Sequence, residues 1–289
     1  MSDKSYEHAR RIGPVYDPEL AARLTRKPWE APHSRSFSCA NAWNLLIASY
    51  LAYAPKDQAI AELLRHGMTS YNGGIVWVEK ENDVAFVASD GQHAIVAARG
   101  SDEMRDWWDN LQVGLVDDTM GRVHGGISKA IARVWQHLDS RGLELVSQAK
   151  RVWLTGHSRG ALMITLVAAR WRARGVCLDG LYTFGSPRIG DEKFQAELHA
   201  SMPGLIHRVQ NEGDWMADMP PNPPYRHVHV GELTSTRESD DTEDGASPQE
   251  KETRLKLLLN QGITGLRDRI IGHHLPQAYF KGLQEYCEA

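Results

Sequence analysis

Leu154-Thr155-Gly156-His157-Ser158-Arg159-Gly160 is a G-x-S-x-G pattern set between two opposite periodicities. The residues before it (Arg151, Val152, Trp153, Leu154) read as a strand, and Ala161 to Trp171 reads as a helix buried on most sides. A strand that turns sharply into a helix needs glycine on both sides of the turn, so that the two elements can pack closely. The residue at the tip, Ser158, then presents its hydroxyl. The next backbone N–H, on Arg159, points to where an oxyanion forms during acyl transfer.

Strands and helices alternate outward from this turn. Strand patterns at 150–155, 179–184 and 205–210 are separated by helical patterns at 159–173 and 191–199. This predicts a mostly parallel central sheet with helices covering both faces. Upstream, 38–53 reads as a helix, with Ala42, Leu45, Leu46, Ser49 and Tyr50 on one face. Three strands follow at 74–79, 84–89 and 93–98, and Asp90-Gly91 marks a hairpin turn between the last two. Residues 127–145 read as a helix interrupted near Ser140-Arg141-Gly142. A further strand is expected at 226–230 and a closing helix at 275–285. The expectation is one α/β domain over 1–289. Its proline-punctuated residues 1–35 form a surface arm, and residues 232–254 form an acidic, flexible loop.

The net charge of −4 argues against a nucleic-acid partner, which needs a basic face. Residues 232–254 carry eight acids against three bases, so the acidic excess is local. The three cysteines (Cys39, Cys177, Cys287) have no metal-ligand spacing. Their small, odd number leads us to expect no disulfide framework and a reducing compartment. The segment Met1 to His8 lacks an apolar core of signal-peptide length, and 161–171 is too short to span a bilayer. The default expectation is therefore cytoplasmic, with non-classical export left open.

A serine hydroxyl needs a base within hydrogen-bond reach, and the base needs an orienting acid. In doubly wound hydrolases the acid and then the histidine follow the serine in the chain. The downstream acids at strand ends are Asp191 and Asp214, with Asp218 just beyond. Asp191 reads as a helix cap and Asp218 as a turn residue before Pro220-Pro221. Asp214, four residues past the second strand after the serine, is best placed. His227 and His229 alternate on a strand, and no third ligand stands at a spacing suited to zinc. His273 and His274 are the candidates for the base. His157 adjoins the serine, points away from it and reads as structural.

A second oxyanion donor belongs on the loop after an earlier strand. Ala98-Arg99-Gly100-Ser101 fits, with Ser101 as the donor. Directly after it, Met104, Trp107, Trp108 and Leu111 share one face of a short amphipathic helix, a candidate lid that contacts a lipid interface transiently.

Several segments now resemble one family in chain order. They are Arg99-Gly100-Ser101 with the tryptophans and Asp109, Val123-His124-Gly125-Gly126-Ile127, the Gly156–Gly160 turn, and Tyr182-Thr183-Phe184-Gly185-Ser186-Pro187-Arg188-Ile189-Gly190-Asp191. Arg208-Val209 through Asp214 to Pro220-Pro221, and His274 with Tyr279, complete the set. Over roughly 40–285 the chain resembles the class 3 lipases, α/β-hydrolases typified by fungal triacylglycerol lipases. The resemblance implies an α/β-hydrolase fold and a triad of Ser158, Asp214 and His274. It implies oxyanion donors at Ser101 and Arg159, no cofactor, no metal, and a lipid or other ester as substrate. Acylglycerols are the first expectation, with phospholipids or galactolipids as the alternative within the family. An idle fold acting as a binding protein is the rival of another class. Arg159 departs from the family's aliphatic residue, and its charge suggests a bias toward anionic head groups. The disulfides of secreted fungal members are not expected here.

Overall fold

The computed structural model describes residues 16–31, 36–69, 74–101, 114–220, 226–236 and 272–289. β1 (Ile75–Lys80), β2 (Asp83–Ser89) and β3 (His93–Ala98) form an antiparallel meander. Asp90 sets the second turn. Its Oδ1 accepts from the N–H groups of Gln92 and His93, while Gly91 takes a φ of +81° that favours glycine. β4 (Leu115–Asp118) and β5 (Gly121–His124) make a separate hairpin. Beyond β3 the main sheet is parallel. β6 (Arg151–His157), β7 (Gly180–Phe184), β8 (Ile206–Asn211) and β9 (Glu232–Thr236) extend it in the order β1-β2-β3-β6-β7-β8-β9.

The period-two rule divides the core between the two faces. Val96 and Leu154 point toward α4 (Gly125–His137), α5 (Leu143–Ser147), α6 (Arg159–Ala173) and α7 (Glu192–Ser201). Ile95 and Trp153 point the other way. There they meet α1 (Pro18–Arg23), α2 (Cys39–Leu51), α3 (Lys56–Arg65) and α8 (Pro276–Glu288). This is an α/β-hydrolase fold. α6 is almost wholly buried, as its apolar run implied. The interruption read at Ser140-Arg141-Gly142 is a π-helical segment, Leu138–Gly142, joining α4 to α5.

Some elements differ from the sequence reading. Glu232–Thr236, expected as part of the acidic loop, is the edge strand β9; the rest of that loop, 237–254, lies outside the described residues. Leu-Thr-Ser-Thr suits a strand, but its charged surroundings masked this. The strand expected at 226–230 is a single bridge, Val228 to Gly190. α3 was not foreseen because only Ala59 and Leu63 of its ten residues are buried. Each strand of the β4–β5 hairpin is too short to show alternation. Part of the expected arm, residues 16–31, is held firmly. Asn44 exchanges two hydrogen bonds with the Lys27 backbone, and Asn41 does the same with Glu30. Two side chains on α2 thus give the arm the pairing that a neighbouring strand would give.

The cysteine reading also needs correction. Cys39 at the start of α2 is disulfide-bonded to Cys287 in α8, while Cys177 is free and exposed. An odd count concealed one bridge plus one thiol, and a separation of 248 residues left no local signature. Closing so long a loop restricts the unfolded chain strongly. Reduction, or Cys39→Ser, is expected to lower unfolding stability by about 2–5 kcal/mol. Urea midpoints with and without reductant test this, and coincident midpoints contradict it.

Candidate active site

The site lies where the parallel strands end. Ser158 has φ 57° and ψ −129°, a conformation that non-glycine residues rarely adopt. The surroundings enforce it. A Cβ on Gly156 would meet Gly160 backbone atoms at 2.5 Å, and one on Gly160 would meet the Ala98 carbonyl oxygen at 2.2 Å. Strand, helix and the end of β3 therefore approach to distances that only glycine permits. The Ser158 N–H donates to the Phe184 carbonyl at 2.9 Å, which ties the turn to β7.

Three of the residues singled out in the sequence meet here. His274 Nε2 lies 2.8 Å from Ser158 Oγ. His274 Nδ1 lies 2.8 and 2.9 Å from the two carboxylate oxygens of Asp214. Ser158, Asp214 and His274 are all buried. Asp214 also accepts hydrogen bonds from the Tyr279 hydroxyl and from the Ala217 N–H. Burial by itself pushes the Asp214 carboxyl pKa up. The charge of His274 and the hydrogen bonds from His274, Tyr279 and Ala217 outweigh that, and the net shift is downward. The carboxyl therefore stays ionised. Burial and the Asp214 charge push the Tyr279 hydroxyl well above its ordinary value, so it remains a donor. Gly185, with φ +55°, makes room for this cluster: a Cβ there would lie 3.0–3.1 Å from His274, Tyr279 and Asp214 atoms.

The remaining candidates fall elsewhere. Asp191 caps α7 through Phe194 N–H and pairs with Arg122. Asp218 accepts from Gln210 Nε2 and stands 3.9 Å from His229. The His273 carbonyl accepts from Asn211 Nδ2, and its ring lies against Gly213. His227 packs beside His124, with ring centroids 5.7 Å apart, and both nitrogens of His227 are unpaired. Among the described residues no group of three or more His, Cys, Asp or Glu is arranged to hold a metal ion.

Gly100 packs directly on the nucleophile turn: its Cβ would fall 3.2 Å from Ser158 Cβ. Ser101 is the next residue of this segment in the chain, while Arg159 is the first residue of α6. The lid candidates Met104, Trp107, Trp108 and Leu111 lie outside the described residues.

Arg159 does not present a free charge. Its guanidinium pairs with the fully buried carboxylate of Asp83 at the start of β2, which Arg133 of α4 shares. This corrects the suggestion that Arg159 reads anionic head groups, because Asp83 already compensates its charge. Asp83 gave no warning in the sequence; a lone acid at a strand start carries no motif. Tyr53 was also missed. Its hydroxyl reaches His157 Nδ1 at 2.8 Å, a contact across 104 residues.

A serine on a strained strand-to-helix turn, linked in series to a histidine and an ionised aspartate, has the geometry of a Ser-His-Asp triad on an α/β-hydrolase fold. Residues 95–223 match the family described as Lipase (class 3). A secreted mono- and diacylglycerol lipase 1 of Fusarium solani is 33% identical over 146 residues, covering 47% of this chain and 43% of that protein. A phospholipase A1-II 1 of Oryza sativa subsp. indica is 26% identical over 182 residues, covering 50% and 46%. The chain thus spans less than half the length of these curated relatives. The solved Rhizomucor miehei lipase–propeptide complex superposes with a TM-score of 0.55 at 21% identity, covering 84% of this chain and 94% of that one. At that identity the likeness speaks to the fold.

Proposed function

We propose that this protein is a carboxylic-ester hydrolase acting on acylglycerols. The observation that carries the reading is the series Ser158–His274–Asp214 at hydrogen-bond distances. Ser158 Oγ attacks the ester carbonyl, and its proton passes to His274 Nε2. The imidazolium is stabilised by Asp214. The N–H groups of Ser101 and Arg159 hold the oxyanion. His274 then returns the proton to the departing alcohol, leaving an acyl-Ser158 ester. Water, deprotonated by His274, attacks that ester; His274 returns this proton to Ser158 Oγ as the acyl–oxygen bond breaks and the fatty acid leaves. Protein groups and water carry every proton in this scheme.

The acylglycerol assignment is supported by the family and by the Fusarium relative's name; the rice relative supports phospholipase A1 activity as the second reading. The Cys39–Cys287 bridge and the secreted relative favour an oxidising compartment over the cytoplasm. Among the described residues no helix is long and apolar enough to cross a membrane. Fatty-acid release from dispersed diacylglycerol, triacylglycerol and phosphatidylcholine tests the assignment. Faster release from the acylglycerols is expected. The opposite order transfers the protein to the phospholipases, and release from none of them overturns the reading.

A further inference from the structure

His157 takes no part in the scheme above, yet it is hydrogen-bonded to the main chain of the proposed base. Its ring is fully buried, 4.8 Å from the ring of His274. His157 Nε2 lies 2.6 Å from the His274 main-chain carbonyl oxygen, and Nδ1 lies 2.8 Å from the Tyr53 hydroxyl. A carbonyl can only accept, so Nε2 carries the hydrogen. Nδ1 must then accept from Tyr53. Both nitrogens are satisfied in one tautomer only. Burial, followed by the neighbouring His274, pushes the His157 pKa down to about 3, so the ring is neutral and no rival base.

The arrangement answers a mechanical need. His274 ends the helical residues 272–274 just ahead of α8, 116 residues from Ser158 in the chain. Asp214 orients its ring, but ring orientation alone does not fix the main chain. His157 is covalently adjacent to Ser158 and hydrogen-bonded to the main chain of His274. One side chain therefore spans nucleophile and base. The same Tyr53 hydroxyl occupies the space beside Gly100 where a Cβ would fall, at 2.1 Å. Gly100 precedes Ser101, so the pair also borders the oxyanion strand.

We propose that His157, with its tautomer fixed by Tyr53, is a positioning residue that sets the distance between His274 and Ser158. The proposal rests on the reading of Ser158 as nucleophile. A misplacement of about 1 Å at a reacting centre costs on the order of 100-fold in rate, which is the scale of effect to look for.

The test compares His157→Leu, His157→Gln and Tyr53→Phe for kcat and KM on a short soluble p-nitrophenyl ester. Ser158 labelling rates by a fluorophosphonate and thermal midpoints are measured alongside. His157→Leu is expected to lower kcat and labelling rate together by about 100-fold. KM is expected to stay within about twofold, because no ground-state contact is lost. His157→Gln keeps a donor for the carbonyl and an acceptor for Tyr53, and is expected to regain most of the loss. Tyr53→Phe, which removes one hydrogen bond and leaves the packing volume nearly unchanged, is expected to cost about 2- to 10-fold in kcat. Three results overturn the proposal: wild-type kcat in His157→Leu, a folded His157→Gln as slow as the leucine variant, or an unaffected Tyr53→Phe. If the wild type is labelled at Ser158 but hydrolyses no ester, the proposed activity fails, and the labelling rates still decide the role of His157.

Discussion

Ser158→Ala is expected to remain folded and to lose at least about three orders of magnitude in ester turnover. Alanine keeps the Cβ, so the strained backbone and the glycine contacts around it are unchanged. What disappears is the oxygen 2.8 Å from His274 Nε2. Without it no acyl-enzyme forms, and the remaining rate comes from water attacking an ester held by oxyanion donors. Matching thermal midpoints for variant and wild type, together with the lost rate, separate this from misfolding.

The second large effect distinguishes neighbours in the chain. His274→Ala and Asp214→Asn are expected to lose about three to four orders of magnitude in kcat. The asparagine is informative because it is nearly isosteric. Both carboxylate oxygens of Asp214 accept: Oδ2 from Tyr279, Oδ1 from Ala217 N–H, and both face His274 Nδ1. An amide places an NH2 against one of these donors, and the histidine loses the anion that holds its tautomer. His273→Ala and Asp218→Asn are expected to stay within about threefold of wild type. Truncating His273 keeps the carbonyl that Asn211 uses, and Asp218 faces Gln210 and His229 rather than His274. An inactive His273→Ala with an active His274→Ala would transfer the role of base to the other histidine.

The parts of this site legible in the sequence are those where backbone geometry dictates residue type. Gly156 and Gly160 announce the turn because any side chain there meets backbone at 2.2–2.5 Å. Asp214 was legible from chain order and strand position. Physical reasoning left His273 and His274 level, and the spacing to Tyr279 that decided between them came from family resemblance. The structure adds a reason for that spacing: one helical turn places the Tyr279 hydroxyl on Asp214. Long-range contacts between common residue types were not legible. Cys39 with Cys287, Tyr53 with His157, and Asp83 with Arg159 each join distant segments, and no local period records them. The fold followed the same division. Long strands and buried helices showed their periods, whereas the short hairpin β4–β5 and the mostly polar α3 did not.

The central claim is that Ser158 is a nucleophile activated by His274. A fluorophosphonate probe measures this directly, because it bonds covalently to an activated serine without needing the natural substrate. Intact-mass and peptide analysis are expected to find one adduct per chain, on Ser158, formed rapidly in the wild type and at least about a hundredfold more slowly in His274→Ala. An unlabelled Ser158 in the folded wild-type protein, or equal labelling rates with and without the His274 imidazole, would contradict the account.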